Sequence, residues 1–188
     1  MKILSTTEIQ TVVSDLKTKR RYKSNRTNLI VFRLATCCGL RASEIADLKL
    51  GDVDVTSARP HVLVRNGKGG KRRIVPLNWD GMTLADMTAW VAERQSEGAT
   101  ADSFFVVTSK ATRIDRVNLR RRFIRSCKPL NRPVTIHDGR HTFVSQSLAG
   151  GRSLPAVRDA AGHSNVSVTN IYLHTVPDDG TVGDLFEA

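Results

Sequence analysis

The stretch HVLVRNGKGGKRRIVPL, residues 61–77, decides the fold. Its two arms, 61–65 (His-Val-Leu-Val-Arg) and 72–77 (Arg-Arg-Ile-Val-Pro-Leu), are rich in Val, Leu and Ile and are predicted to be strands whose side chains alternate between two faces. Between the arms, residues 66–70 (Asn-Gly-Lys-Gly-Gly) favour a tight turn. The stretch therefore predicts an antiparallel hairpin whose glycine-rich turn carries Lys68.

Helical patterns lie on both sides of this hairpin. An apolar run closed by Gly39 predicts a buried helix before it, and Thr135 with Asp138 fits a capping box that opens a helix after it. The first predicted helix begins near Thr6. The other predicted helices cover 27–39, 43–48, 81–95, 115–128, 135–150, 153–162 and 168–173, and a short strand is predicted at 104–107. The expected class is α+β: a mostly helical domain with a small antiparallel β-sheet over residues 1–175, followed by an acidic tail over 176–188.

The charge balance is the most unusual feature of the composition. The chain has 29 Lys and Arg against 18 Asp and Glu, which gives a net charge of +11 and a pI near 10.2. Such a balance favours a polyanionic partner. A membrane surface is a less favoured partner, because the sequence has no long apolar run and no basic amphipathic helix at its end. The start, MKILSTTEIQ, lacks the apolar stretch of a signal peptide, which predicts a cytoplasmic protein.

No metal or cofactor is expected from the sequence. The three cysteines, Cys37, Cys38 and Cys127, are odd in number and lack metal-ligand spacing, which predicts buried, reduced thiols. The sequence also has no Walker loop and no carboxylate cluster suited to a divalent metal.

Four short motifs carry the residues with chemical potential. They are GLRASEIADL at 39–48, NGKGGKRRIVPL at 66–77, HDGRHT at 137–142 and AGHSNVSVTNIY at 161–172. Each is weak alone: Arg41 would pair with Glu44 on a surface, and Tyr172 would be half-buried packing. Together and in this order, they resemble the tyrosine recombinase (phage integrase) family along nearly the whole chain.

The resemblance implies a catalytic set. The family has an arginine after Gly-Leu, a lysine in a β-turn, His-x-x-Arg, a Gly-His histidine and a tyrosine nine residues later. The matching positions are Arg41, Lys68, His137, Arg140, His163 and Tyr172. The resemblance further implies that Tyr172 is the nucleophile and forms a 3′-phosphotyrosyl link. This link conserves the bond energy, so neither a metal nor a nucleotide is needed.

The chemistry of a phosphodiester agrees with this set. Attack places negative charge on the non-bridging oxygens, and two guanidiniums, Arg41 and Arg140, can clamp them. His163 would be a third donor, and Glu44 would orient Arg41. Tyrosine has an ordinary pKa of about 10, so Tyr172 needs a base or a cationic pocket. His137 is the candidate base, and Lys68 is the candidate acid that protonates the leaving 5′-oxygen.

The expected partner is double-stranded DNA. Residues predicted to contact it are Arg20, Arg21, Lys71, Arg72, Arg116, Arg120 and Arg121. The resemblance implies self-assembly into a tetramer on DNA, a monomer when free, and a nucleoid-associated protein of bacterial or phage type. Family members usually also carry an N-terminal domain that clamps the opposite face of DNA, and this chain is expected to be either a fragment without it or a minimal enzyme.

Other classes remain as alternatives. A type IB topoisomerase or a telomere resolvase would use similar chemistry, an integrase-like protein with impaired catalysis would only bind DNA, and a basic RNA-binding protein is a third class. The sequence departs from the family at Gly139, Ala160 and Ala161, where leucines are usual. These smaller residues are expected to loosen the packing around Arg140 and His163.

Overall fold

The computed structural model describes residues 2–67 and 70–163. The described elements, in chain order, are α1 (Thr6–Thr18), α2 (Lys23–Thr36), α3 (Ala42–Asp47), β1 (Val53–Asp54), β2 (His61–Val64), β3 (Arg73–Pro76), α4 (Gly81–Ser96), α5 (Arg116–Ser126), α6 (Ile136–Ala149) and α7 (Leu154–Ala161). Short 3-10 turns cover Leu50–Asp52 and Lys128–Leu130. The predicted α+β class is confirmed. Lys68, Tyr172, the predicted helix at 168–173 and the acidic tail lie outside the described residues.

The sheet has three antiparallel strands in the order β1-β2-β3. The predicted hairpin is present as β2 and β3, with Val62 opposite Val75 and Val64 opposite Arg73. Val62 and Val75 are fully buried, which gives the hairpin its inner face. The sequence did not reveal β1, because two residues are too short to show a period.

The strand predicted at 104–107 is wrong. Its backbone makes only isolated bridges, from Phe104 to Lys49 and from Val107 to Arg113. Phe105 is nevertheless fully buried, and its carbonyl accepts a hydrogen bond from the Trp90 indole at 2.9 Å. The apolar run is therefore a buried connection, since single bridges and a side chain take the place of a strand partner.

Helix α2 lies at the centre of the helical layer and contacts α1, α3, α4, α5 and α6. Residues 27–36 are all buried, and the Phe32 ring stacks on Phe123 of α5 at 5.6 Å. The helix starts four residues before the predicted Thr27, because its first turn is polar and lacks the apolar pattern. Within the described ranges, no helix is long and apolar enough to cross a membrane.

Three predicted helix boundaries place the motif residues. Thr135 caps α6, with the expected capping box to Asp138. Gly39 and Gly162 both adopt positive φ (66° each), and they turn the chain after α2 and α7. A side chain at Gly39 would overlap the Phe143 ring of α6. The turn that carries Arg41 is therefore packed directly on the helix that carries Arg140.

Candidate active site

Arg140 joins two of the sequence motifs inside the protein. Its side chain comes from α6 and the residue is only 4% exposed. Nη1 donates to the carbonyl of Gly39 at 2.6 Å, and Nη2 donates to the carbonyl of Ala161. The guanidinium thus holds the turn before α3 against the end of α7, and it draws Arg41 and His163 to one place.

Arg41 is the N-cap residue, directly before α3. Its backbone N–H and its Nη1 donate to the two carboxylate oxygens of Glu44, both at 2.8 Å, and Nη2 donates to the carbonyl of Gly162 at 3.5 Å. The contact expected between Glu44 and Arg41 is therefore present. The Arg41 side chain is 30% exposed, so solvent or a ligand can reach its guanidinium.

Arg73 of β3 is a member of the cluster that the motif analysis missed. Its Nη1 and Nη2 donate to both oxygens of Glu44 at 2.7 and 2.8 Å, and its Nε donates to the carbonyl of Ala160 at 2.8 Å. A signal existed in the strand period, because Arg73 lies on the same face as the buried Val75 and Leu77. An inward-facing arginine requires a buried anionic or carbonyl partner.

Glu44 is an ionised carboxylate between two guanidiniums. Burial alone would raise its pKa, but the hydrogen bonds and charges of Arg73 and Arg41 outweigh burial and lower the pKa below its ordinary value. Arg41, Arg73 and Arg140 against the one carboxylate leave an excess of two positive charges. The cluster is therefore electrostatically suited to an anion.

His163 follows Gly162 and lies beside this cluster. Burial, followed by the charges of Arg140 and Arg41, lowers its pKa to about 4. The imidazole is therefore neutral near pH 7 and can donate one hydrogen bond without carrying charge. This state is compatible with the predicted role of a third donor.

His137 lies in the first turn of α6 and is exposed. Its ring meets His141 edge to face, with centroids 4.4 Å apart. Burial, and then the neighbouring His137, lowers the pKa of His141. The ring of the predicted base is therefore open to solvent and to a ligand.

A groove of about 490 Å³ connects several of these residues. Arg41, His137 and Arg140 line it, together with Arg116 and Arg120 of α5. Two of the predicted DNA-binding arginines therefore share a groove with three members of the predicted catalytic set.

A second groove of about 700 Å³ lies along the hairpin. Lys71, Arg72 and Arg73 line it with Arg158 and His163. The predicted DNA-binding residues Lys71 and Arg72 are therefore brought together with His163.

Other predicted DNA-binding residues lie elsewhere. Arg20 and Arg21 follow α1 and line neither groove, and Arg21 donates to the Tyr22 hydroxyl at 2.6 Å. Arg121 is exposed on α5 but also lines neither groove. The structure thus divides the predicted DNA-binding residues into a set that lines the two grooves and a peripheral set that does not.

The expectation of looser packing at Gly139 is wrong. A Cβ atom there would lie 3.0 Å from Phe123 Cζ and 3.1 Å from Thr36 Oγ1. Phe123 and α2 fill the space that a larger residue would take. Ala160 and Ala161 are also buried, so the helices approach closely where small residues stand.

Comparison with known proteins gives matches along nearly all of the chain. The family model described as Phage integrase family matches residues 2–178. The tyrosine recombinase XerA of Thermococcus kodakarensis is 33% identical over 175 residues, which cover 91% of this chain and 57% of the relative. The TnP I resolvase of Bacillus thuringiensis is 29% identical over 150 residues, which cover 79% of this chain and 50% of the relative. The chain thus spans about half the length of the curated relatives it matches.

Solved structures have the same fold. The crystal structure of XerA recombinase superposes with a TM-score of 0.79 at 24% identity, and the match covers 97% of this chain and 62% of that one. The XerH site-specific recombinase bound to its palindromic difH substrate, a post-cleavage complex, gives a TM-score of 0.76 at 20% identity, over 96% of this chain and 51% of that one. At these identities the likeness shows the fold.

Proposed function

Since this chain belongs to the phage integrase family, we propose that it performs the strand cleavage and rejoining of a site-specific DNA recombinase. The observation that carries the proposal is the convergence of Arg41, Arg140 and His163, from three separate motifs, around the end of α7. Guanidiniums held by carbonyls need no reorganisation when charge develops on a phosphate, and this preorganisation lowers the barrier.

Arg41 and Arg140 bind the non-bridging oxygens of the scissile phosphate in this proposal. Preorganised donors of this kind contribute roughly 3–4 kcal/mol each to the transition state. The neutral His163 donates a further hydrogen bond. Since a guanidinium stays charged at any working pH, the clamp does not depend on proton uptake.

Tyr172 is the proposed nucleophile. Its phenolic oxygen attacks phosphorus, the 5′-oxygen leaves, and the strand is held as a 3′-phosphotyrosyl link until a second 5′-hydroxyl reverses the step. His137 accepts the phenolic proton, and Lys68 protonates the leaving oxygen. Both proton transfers use side chains of this chain, and the bond energy is retained in the new ester.

Double-stranded DNA is the proposed substrate. The two basic grooves, the net charge of +11 and the DNA-bound state of the XerH relative support this proposal. We further propose that the protein acts in the cytoplasm at the nucleoid, is a monomer when free and forms a tetramer on DNA. Sedimentation with and without a bound duplex tests the last point, since only the bound form should sediment as a four-protein complex.

A covalent-capture experiment tests the function. The full chain is incubated with a pool of nicked duplexes whose core is random and whose upstream strand carries a 5′ label, and then denatured. A labelled protein band is expected with the wild type and should be absent with Tyr172→Phe, which lacks only the nucleophilic oxygen.

Each alternative gives a different result in the same system. DNA binding without any adduct would mean a binding protein with impaired catalysis. An adduct together with relaxation of supercoiled plasmid, but without joining of two duplexes, would indicate a topoisomerase. Preference for single-stranded RNA over the duplex pool would overturn the choice of substrate.

A further inference from the structure

We propose that Arg73 is a positioning residue of the cleavage site, which holds Arg41 through Glu44 and holds the turn to His163 through the carbonyl of Ala160. This inference rests on the proposed function. Arg73 itself is placed behind the phosphate-binding side chains, since its side chain is only 7% exposed and its five-donor fork is directed at protein groups.

The first link runs from Arg73 to Arg41. Glu44 Oε1 accepts from Nη1 of Arg73 at 2.7 Å and from Nη1 of Arg41 at 2.8 Å. Oε2 accepts from Nη2 of Arg73 at 2.8 Å and from the backbone N–H of Arg41 at 2.8 Å. Each carboxylate oxygen is therefore shared by both arginines, and the two-point contact of Arg73 fixes the plane in which Glu44 meets Arg41.

The second link runs from Arg73 to the end of α7. Three successive carbonyls at this end each accept from a different arginine: Ala160 from Arg73, Ala161 from Arg140, and Gly162 from Arg41. The last carbonyls of a helix have no partner within it and carry partial negative charge, so three cations are suited to hold them.

The stem of Arg73 also limits the turn itself. A Cβ atom at Gly162 would lie 2.9 Å from Cδ of Arg73. The Arg73 side chain thus packs on the residue that turns the chain from α7 to His163. Loss of this side chain would remove both the hydrogen bond to Ala160 and the packing contact with Gly162.

Arg73 also affects Arg41 through its positive charge, which is shared with Glu44. The side chains of Arg73 and Glu44 are 7% and 2% exposed, so water screens their attraction little. With Arg73 present, two guanidiniums share one carboxylate and one positive charge remains for a phosphate. Without Arg73, Glu44 would neutralise Arg41 alone and compete with the phosphate for its donors.

This charge relation gives a test that a merely structural role would not pass. Arg73→Met removes the cation and leaves the carboxylate, while the double variant Arg73→Met/Glu44→Gln removes both charges. Single-turnover adduct formation at saturating DNA should fall by roughly a hundred-fold in Arg73→Met, the scale of losing one preorganised donor. The double variant should recover about ten-fold of this loss, because Arg41 no longer faces an unshared carboxylate.

Two further variants complete the experiment. Arg73→Lys keeps the charge but lacks the fork, so it should fall between the wild type and Arg73→Met. Arg65→Met is the matched control, because Arg65 also lies in the hairpin and pairs with a buried carboxylate, Asp52, but lines neither groove. Its cleavage rate per folded molecule should equal that of the wild type, while DNA affinity should change less than about three-fold in every variant.

The outcomes are separable. A folded Arg73→Met that cleaves at the wild-type rate, or a double variant no faster than the single one, would overturn the positioning role. If Arg73→Met does not fold, Arg73→Lys and the double variant decide by the same comparison. If the wild type forms no adduct, the proposed function fails, and NMR titration of His163 then tests the positioning. Burial is the main cause of the low pKa of His163, so a loosened turn should let this pKa rise in Arg73→Lys and in the double variant but not in Arg65→Met. No rise would contradict the proposal.

Discussion

The guanidinium of Arg140 donates to the carbonyl of Gly39 at 2.6 Å, although the two residues are 101 positions apart in the chain. The same guanidinium donates to Ala161 at the end of α7. This pair of bonds predicts that Arg140 has a structural role as well as a chemical one. A buried acceptor that loses its donor destabilises the folded state by about 1–3 kcal/mol.

Replacement of Arg140 by lysine should therefore affect both properties. One ammonium cannot reach both carbonyls with the geometry of the fork, so the free energy of unfolding should fall by about 1–3 kcal/mol in urea titrations. Adduct formation should fall by a hundred-fold or more, on the scale of losing an oxyanion donor. A variant with unchanged stability would mean that the Gly39 and Ala161 contacts contribute nothing.

Lys68 should behave as an acid rather than as a phosphate clamp. Lys68→Ala should cleave ordinary DNA slowly, because an unprotonated 5′-alkoxide is a poor leaving group, with a loss of roughly two to four powers of ten. A substrate with sulfur at the bridging 5′ position releases a thiolate without a proton and should restore most of the rate. Arg140→Ala should not recover on this substrate. Equal slowness of both variants on both substrates would assign the proton to another residue, with Lys71 and His163 as the nearest candidates.

His163 should make stability depend on pH in the mildly acidic range. Its pKa is lowered to about 4 in the folded state, while the unfolded value is near 6.5, so the unfolded chain binds more protons between these values. The contribution of this group to stability is complete above pH 6.5 and is lost as pH falls toward 4. Urea titrations of the wild type and His163→Gln should differ in slope over this window, and parallel curves would contradict the prediction.

The two sets of basic residues should differ in DNA binding. If about six phosphates are neutralised, the logarithm of affinity should fall with the logarithm of salt concentration at a slope near −5. Arg116→Gln and Arg120→Gln, within the groove of Arg41 and His137, should each reduce this slope by about one. Arg121→Gln lies on the same helix outside the groove and should change the slope less. Equal effects of all three would mean that DNA does not follow the groove.

Gly139 should not tolerate the leucine that is usual in the family. Phe123 and Thr36 already lie within 3.1 Å of an added Cβ, so Gly139→Leu should destabilise the protein by about 1–3 kcal/mol through overpacking. Phe123→Leu makes room, and the double variant should be more stable than the sum of the two single changes predicts. Strict additivity in thermal unfolding would show that the two positions do not compete for space.

The sequence predicted the elements whose signals are local. The Thr135 capping box, the Gly162 helix end and the glycine-rich hairpin depend on residues within one turn or one strand pair, and all are present. The 104–107 segment failed because burial without a paired edge has the same apolar pattern as a strand. Periodicity does not distinguish these cases.

The candidate site shows a similar division. Motif spacing brought Arg41, Arg140 and His163 into one set, and the structure places them together. Motif spacing did not reveal Arg73, because the carboxylate that this inward-facing arginine binds, Glu44, lies 29 residues away in α3. Such a contact depends on tertiary packing, and a single sequence gives no measure of it.

The arginine-bound end of α7 has a consequence for the position of the proposed nucleophile, Tyr172. It is a fixed anchor, and Tyr172 is tied to it by the nine residues that follow His163. A fully extended chain spans at most about 3.6 Å per residue, so the tether is no longer than about 32 Å. The phenolic oxygen of Tyr172 must therefore lie within this length, plus the length of its own side chain, of His163, whether the DNA is held by the same protein or by a neighbour.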